Sequence, residues 1–471
     1  MSRTRSPLLP IFLIVLVDVL GFTIVIPLLA YYAEHFGASP LVSTTLVSVY
    51  ALCSLISTPV IGSLSDRYGR KPLLLISQAG TCAGFLVLAY SSSLWMVFLG
   101  RILDGITAGN LSTAQAYISD HTEPQNRAKA FGVIGVAFGL GFLVGPALGA
   151  ELGKHGLHYP FMLSAALSAL SIIATWTLLP AGKPAAKQAE GGALPGGKRP
   201  GVFDFGTYAE YFRRPGLASL YAQFFLFTFA FSCFTSGMAL FAERRFYAER
   251  DLTRIGQTCI FRPEMDLDLR TAPTGYVLVD GQKIDGWKVT DKRAVELPPA
   301  ACNAKHAEMH VPWGVREVGL LFTFSGLLGI ILQGGLIGRL VKRFGEVKLS
   351  IAGFVAVLIG YAGLGLTYTL AMLLVVAVFN SFGNGVLRPC VTSRITQAVG
   401  GHEQGIALGI SGSLSSLAMF LAPPSGGILL DGGHTTAWAM VPATVALLGL
   451  VATLATRSRS TPAEPELSSG A

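Results

Sequence analysis

Charged side chains are scarce in this chain: they are 13% of its 471 residues, where soluble domains carry about 25%. Hydrophobic residues make up 51%, and mean hydropathy is +0.56. A chain of this length and composition would not stay dissolved, which excludes a soluble globular fold. Other features are missing outright. No G-x-x-x-x-G-K-[ST] pattern occurs, so ATP is excluded as an energy source within the chain. No His, Cys and Glu residues fall at metal-ligand or nucleophile spacing, and His155, His158 and His434 lie at loop edges. The expectation is neither an enzyme nor a protein with a metal or cofactor. The first apolar run is too long for a cleavable signal and lacks a small-residue cleavage site, so it is read as a retained helix.

Long apolar runs are what the chain has in abundance. About 20 apolar residues cross the hydrocarbon of a bilayer as a helix. Twelve candidates fall near 8–33, 42–64, 72–90, 94–117, 128–152, 159–180, 217–242, 316–339, 347–367, 370–394, 404–430 and 436–456. They are far too long for barrel strands, and a backbone in lipid must otherwise satisfy its own hydrogen bonds, so helices are predicted. The expected fold class is an all-α membrane protein of twelve helices in two bundles of six. Cations in the short loops set the expected orientation. Arg3, Arg5, Arg67, Arg70, Lys71, Arg127, Lys129, the 183–214 and 339–348 segments, Arg457 and Arg459 all fall on one side, with Lys154 the main exception. Both termini are expected in the cytoplasm, with the chain in the cell membrane. This bias accounts for the net charge of +8, and no nucleic-acid partner is expected.

Residues Gly62-Ser-Leu-Ser-Asp-Arg-Tyr-Gly-Arg-Lys-Pro72 crowd glycines, Asp66 and the cations Arg67, Arg70 and Lys71 into a turn between two apolar runs. A weaker echo, Gly338-Arg-Leu-Val-Lys-Arg-Phe-Gly345, follows half a chain later, with Lys342 where the aspartate stood. At this turn the chain resembles the major facilitator superfamily, whose loop between helices 2 and 3 carries G-x-L-x-D-R-x-G-R-K/R. The echo supports a parallel repeat of two halves. The expected organisation is an N-terminal bundle over 1–180, a Gly-, Pro-, Ala- and Lys-rich linker within 181–214, a C-terminal bundle over 215–456 and a tail over 457–471. Residues 203–214 read as an amphipathic stretch on the membrane face.

Residues 243–317 do not belong to a minimal twelve-helix chain. They hold twelve acidic and twelve basic side chains and are expected outside the cell. Tyr276 to Val289 alternates apolar and polar residues around Asp280-Gly281, a β-hairpin signal. Cys259 and Cys302 bracket it where disulfides are allowed, and a bridge is favoured over two free thiols. Cys53, Cys82, Cys233 and Cys390 are expected buried in helices.

The resemblance narrows along the chain. Gly100-Arg-Ile-Leu-Asp-Gly-Ile-Thr-Ala-Gly109 resembles the helix 4 signature. Tyr117-Ile-Ser-Asp120 with Arg127, Ala128 and Phe131-Gly132 resembles the following loop of tetracycline/proton antiporters. Gly141-Phe-Leu-Val-Gly-Pro-Ala-Leu-Gly149 matches the helix 5 antiporter motif except for Ala150 at its last position. Glycines four apart give a flat strip for a neighbouring helix, and Pro146 loosens the backbone there. The resemblance implies that Asp66, Arg67, Arg70, Gly141, Gly145, Pro146 and Gly149 serve gating, with Asp66 reaching toward helix 11 near Gly405.

Few membrane residues carry charge. Asp18 lies about 15 Å along the first helix, near the midplane. A carboxyl there reads as a proton carrier, or as a structural cap or a partner for Arg101. Arg101 and Asp104 share one face of the fourth span, either as a self-neutralising packing pair or as groups that tune Asp18. The resembled antiporters use a helix 1 aspartate and a helix 4 arginine, which implies those roles for Asp18 and Arg101. Their further acids have no counterpart in 72–90 or 347–367.

Polar residues of the remaining spans are candidates for substrate contact. These are Gln115, Gln223 and Gln333, and the stripe Asn380, Asn384 and Arg388 that ends beside Pro389. The seventh span is rich in phenylalanine, so the expected substrate is a small amphiphilic organic compound exchanged for protons. A metabolite symporter or uniporter is the alternative, and a receptor or scaffold using the insertion is a third. Protons, a small-molecule substrate and lipid are the expected partners, and the expected state is a monomer.

Overall fold

The computed structural model describes residues 8–121, 127–179, 205–214, 216–251, 260–261, 276–279, 282–285, 288–291, 294–296, 307–399 and 404–459. Its N-terminal half contains α1 (Leu8–His35), α2 (Pro40–Tyr68), α3 (Arg70–Ala89), α4 (Leu94–Ile106), α5 (Asn110–His121), α6 (Arg127–Gly153) and α7 (Tyr159–Leu178). A short α8 (Phe205–Arg213) precedes the second half, as its amphipathic pattern predicts. That half contains α9 (Leu217–Arg245), α10 (Val315–Ile331), α11 (Ile337–Phe344), α12 (Glu346–Gly365), α13 (Leu370–Gln397), α14 (Gln404–Asp431) and α15 (Thr435–Arg459). Among the described residues, ten helices are long and apolar enough to cross a membrane. Their outer faces carry exposed Ile76, Ile173, Trp176, Val375 and Val451, side chains that water would expel and lipid accepts.

The other two predicted spans are helical but interrupted. The fourth breaks between α4 and α5 at Thr107 to Gly109. Thr107 turns its hydroxyl back onto the Leu103 and Asp104 carbonyls, at 2.9 and 3.2 Å, and flanking glycines hold a helix poorly. The carbonyls at the break are satisfied by neighbours. Ser57 donates to Gly105 at 2.7 Å, Thr58 to Ala108 at 3.0 Å, and Ser77 to Thr107. The eighth span passes through a π-helical turn, Leu332–Leu336, before continuing as α11.

The glycine strip on α6 meets α1. A Cβ on Gly141 would lie 2.5 Å from Val19, and one on Gly149 would lie 3.0 Å from the Ile24 carbonyl. Thr23 reaches into the strip and donates to the Gly141 carbonyl at 2.9 Å. Another face of α6 packs on α10, where Gly319 leaves room for the Pro146 carbonyl. The second contact between halves joins α2 to α14, with Gly427 against Leu41 and Thr44.

The turn motif and its echo have the same backbone. Gly69 ends α2 at φ +102° and Gly345 ends α11 at φ +77°, a region that favours glycine. Each donates its N–H to the carbonyl four residues back. Arg70 donates to Ser65 at 2.6 Å and so ties the first turn. Lys71 folds back onto the end of α7. It donates to the Trp176 and Leu179 carbonyls at 2.7 and 2.6 Å, neutralising the C-terminal end of α7. The bundle therefore has a linker end, with these turns and α8, and an insertion end.

The insertion is β-rich. Strands β1 (Tyr247–Asp251), β7 (Ala307–Pro312), β3 (Tyr276–Val279) and β4 (Gln282–Asp285) form one antiparallel sheet in that order. Strands β2 (Ile260–Phe261), β6 (Ala294–Glu296) and β5 (Lys288–Asp291) form another. The predicted hairpin pairs Tyr276 with Asp285 through Val279 with Gln282, but Lys288 onward leaves it for the second sheet. Cys259 and Cys302 lie outside the described residues. Cys233 and Cys390 are buried, whereas Cys53 and Cys82 are only half-buried, since each sits at a helix edge partly open to the surroundings.

Candidate functional site

Asp18 sits where α1 crosses α3 and α7. The Gln78 amide and the Ser171 hydroxyl are the polar neighbours of its carboxyl. Gln78 also donates to Ser171 at 2.7 Å, while Ser168 holds the Gln78 backbone carbonyl at 3.2 Å. The Asp18 Oδ1 atom is buried and has no hydrogen-bond partner among the described residues. A carboxyl with neutral polar neighbours and an unpartnered oxygen has a free position for a proton.

Arg101 does not pair with Asp18. Its guanidinium lies 3.0 Å from Asp104, both side chains are more than nine-tenths buried, and it also lies over the Tyr50 and Phe85 rings at 5.6 and 5.9 Å. Thr81 supplies a further hydrogen bond to Asp104. Asp104 is close enough to act on Asp18 through its field, so Arg101 reaches Asp18 only through this intermediary. Gln78, Thr81 and Ser171 were not picked out by sequence reasoning. Their signal was weak but present, as isolated polar residues within apolar spans.

The second half presents amides. Asn380 is buried against Gly360, with its Oδ1 unpartnered among the described residues. Asn384 donates to the Asn380 carbonyl at 2.8 Å and accepts from Tyr361 at 3.2 Å. The Tyr361 ring packs on Phe234 with centroids 5.4 Å apart. Arg388, one turn further, reaches the other half and lies 5.6 Å from the Phe138 ring centre. Residues four apart on a helix rotate gradually around its axis, so this stripe turns from α12 at Asn380 to α6 at Arg388. Gln333 is exposed on the π turn, near Gly385 of the same stripe.

Gln223 is placed elsewhere, as a correction to its reading as a substrate contact. It is fully buried and bonded to Ser219 and Thr456, each at 3.2 Å, and to Arg394 at 3.1 Å. Its amide joins α9, α13 and α15 toward the linker end and has no free face for a ligand. The side chains of Gln115 and Asp66, and hence the expected approach of Asp66 to Gly405, lie outside what the structure describes.

A third polar group was missed altogether. Glu34 at the end of α1 meets Glu243 and Arg244 at the end of α9, where the two halves join. In the sequence Glu243 reads only as the border of the insertion.

Comparison with known proteins agrees with the fold. The sequence profile of the Major Facilitator Superfamily matches residues 11–257 and 299–470. The class B tetracycline resistance protein of Escherichia coli is 39% identical over 163 residues, 34% of this chain and 41% of that protein. The class C protein of Escherichia coli is 25% identical over 431 residues, 89% of each chain. Among solved structures, the human organic anion transporter MFSD10 (TETRAN) superposes with a TM-score of 0.66 at 20% identity, covering 96% of this chain and 100% of that one. At that identity the likeness concerns the fold. With its apolar helices and this profile match across most of its length, the chain belongs to the Major Facilitator Superfamily and is a multi-pass membrane transporter of small molecules.

Proposed function

We propose that the protein is a proton-coupled exporter of small amphiphilic organic compounds. The observation that carries this reading is Asp18, a carboxyl within the membrane helices, beside Gln78 and Ser171 with one oxygen unpartnered. A structural scaffold gains nothing from such a group, because an ionisable side chain in a bilayer is costly. Similarity to tetracycline resistance proteins supports export as the direction.

Asp18 takes and releases the proton, and Gln78 and Ser171 orient it as neutral hydrogen-bond donors. Arg101 holds Asp104 ionised, and Asp104 sets the field at Asp18. Substrate lies against Arg388, Gln333 and Asn384, with Phe234 and Tyr361 offering aromatic surface. Proton and substrate exchange because the halves cannot reverse their opening unless one of the two is bound. The turn of Asp66, Arg67 and Arg70 and the α6 strip of Gly141, Gly145, Pro146 and Gly149 let the halves rock. The linker end, rich in cations, faces the cytoplasm of a cell membrane, and one chain suffices.

The test is a panel of amphiphilic compounds, tetracycline among them, in proteoliposomes under an imposed pH gradient. Uphill movement of some compounds that stops when the gradient is dissipated is the expected result. Movement only down each compound's own gradient, indifferent to pH, would replace exchange by uniport.

A further inference from the structure

The seam between the halves at the insertion end holds an unusual charge balance. Arg244 Nη2 lies 3.0 Å from Glu34 Oε1, and Arg244 Nη1 lies 3.9 Å from Glu243 Oε2. The two carboxyl groups thus share one guanidinium, which brings them close to each other. Two carboxylates have only acceptor oxygens, so a hydrogen bond between them requires a proton on one. The Glu243 side chain is 7% exposed, and its Oε2 has no hydrogen-bond partner among the described residues.

Among the described residues, Arg244 is the cation in ion-pair contact with both carboxyls, and His35 follows Glu34 at the end of α1. Tyr31 of α1 faces the pair and donates to the Ala239 and Trp313 carbonyls, both at 3.3 Å. Glu317 of α10 adds a third carboxylate, which accepts from the Gly314 N–H at 3.1 Å. Arg245 points away, to the Thr367 and Gly365 carbonyls at 3.1 and 2.8 Å, with its guanidinium 3.9 Å over Tyr368. Among the described residues, Arg244 is thus the one cation paired with Glu34 and Glu243.

We propose that Glu34 and Glu243 bind a second proton, separate from the one assigned to Asp18, and that this proton holds the insertion ends of the two halves together. With the proton present, one carboxyl donates to the other, Arg244 neutralises the remaining charge, and α1 stays joined to α9. Without it, two like charges face each other with Glu243 buried and Glu34 only partly reached by solvent, and separation of α1 from α9 is the relief. The proton therefore favours the joined arrangement, which is lost as pH rises. This rests on family membership alone and stands whether or not the exporter reading holds.

Hydrogen exchange of the reconstituted full-length protein tests it without any substrate. Peptides spanning 28–38 and 237–247 are compared between wild type and Glu243→Gln at acid and alkaline pH, so that the intrinsic pH dependence of exchange cancels. The amide imitates the protonated acid. The two proteins should exchange alike at acid pH, and at alkaline pH wild type should exchange about tenfold faster, as one unit of difference in proton affinity would give. Glu34→Gln should also remove the pH step, because Glu243 then has Arg244 to itself, and it serves equally if Glu243→Gln does not fold. Asp18→Asn should retain the step. Identical exchange of wild type and both variants at both pH values would overturn the proposal, as would faster exchange of the variants at acid pH. Loss of the step in Asp18→Asn would make the proton the same one and overturn it too.

Discussion

The two halves share a helical plan but treat polarity differently. The first half stores titratable groups: Arg101 and Asp104 lie 3.0 Å apart, with Asp18 nearby. The second half uses amides and a phenol, with Asn384 bonded to Tyr361 and Gln223 tied to three partners. Charge responds to proton concentration and neutral amides do not. Under the proposed function the membrane-core proton site thus lies in the first half and the neutral contact surface in the second, with Arg388 and Arg244 as cations of the second half that reach the first.

Removing the cation from the charged half is the harshest way to test this contrast. Arg101→Gln strands a buried Asp104 and should cost about 3–5 kcal/mol of stability, read as earlier thermal unfolding in detergent. The double variant Arg101→Gln with Asp104→Asn should recover much of that loss. If the single variant is as stable as wild type, the pair is not closed off from water and the contrast weakens.

Asp18→Asn should lower pH-driven transport about 100-fold, the size typical of a lost proton-transfer group, while substrate binding by equilibrium dialysis stays nearly unchanged. The asparagine keeps the shape of the protonated acid and its contacts to Gln78 and Ser171. A pH gradient that still drives uphill transport in this variant moves the proton site to Asp104.

In the amide half the consequences should be structural. Gln223→Leu leaves Arg394 and two hydroxyls short of a partner, a loss of about 1–3 kcal/mol in thermal unfolding. The protein that survives should transport with unaltered pH dependence, and a shifted pH profile would show charge coupling across the halves. The smallest effect belongs to Tyr361→Phe, about 1 kcal/mol from one lost hydrogen bond. Comparable pH profiles before and after, measured in proteoliposomes, would sharpen the division further.

Much of the fold was legible from one variable, the length of the apolar runs, because lipid requires each span to satisfy its own backbone. The fourth span shows where that reasoning stops. Thr107 competes for helix carbonyls, and whether the helix survives depends on Ser57, Thr58 and Ser77 on other helices, which local pattern does not reveal. Asp18 was legible for its cost in lipid, whereas Gln78 and Ser171 were not, since a lone amide or hydroxyl in a span is ordinary. Gln223 misled for the same reason: its polarity was visible but its three partners were not.

The sequence by itself determined the membrane class, the two-part repeat with its glycine-terminated turns, the β-bearing insertion and the scarcity of intramembrane charge. Each is a local or compositional property, decided by transfer of side chains between water and lipid or by the conformational freedom of glycine. Tertiary structure alone decided which charges meet. Arg101 chose Asp104 over Asp18, and Glu34 met Glu243 and Arg244 from the far end of another half, because pairing depends on distances between helices remote in the chain, and hydrogen bonds and close ion pairs form only at contact distance.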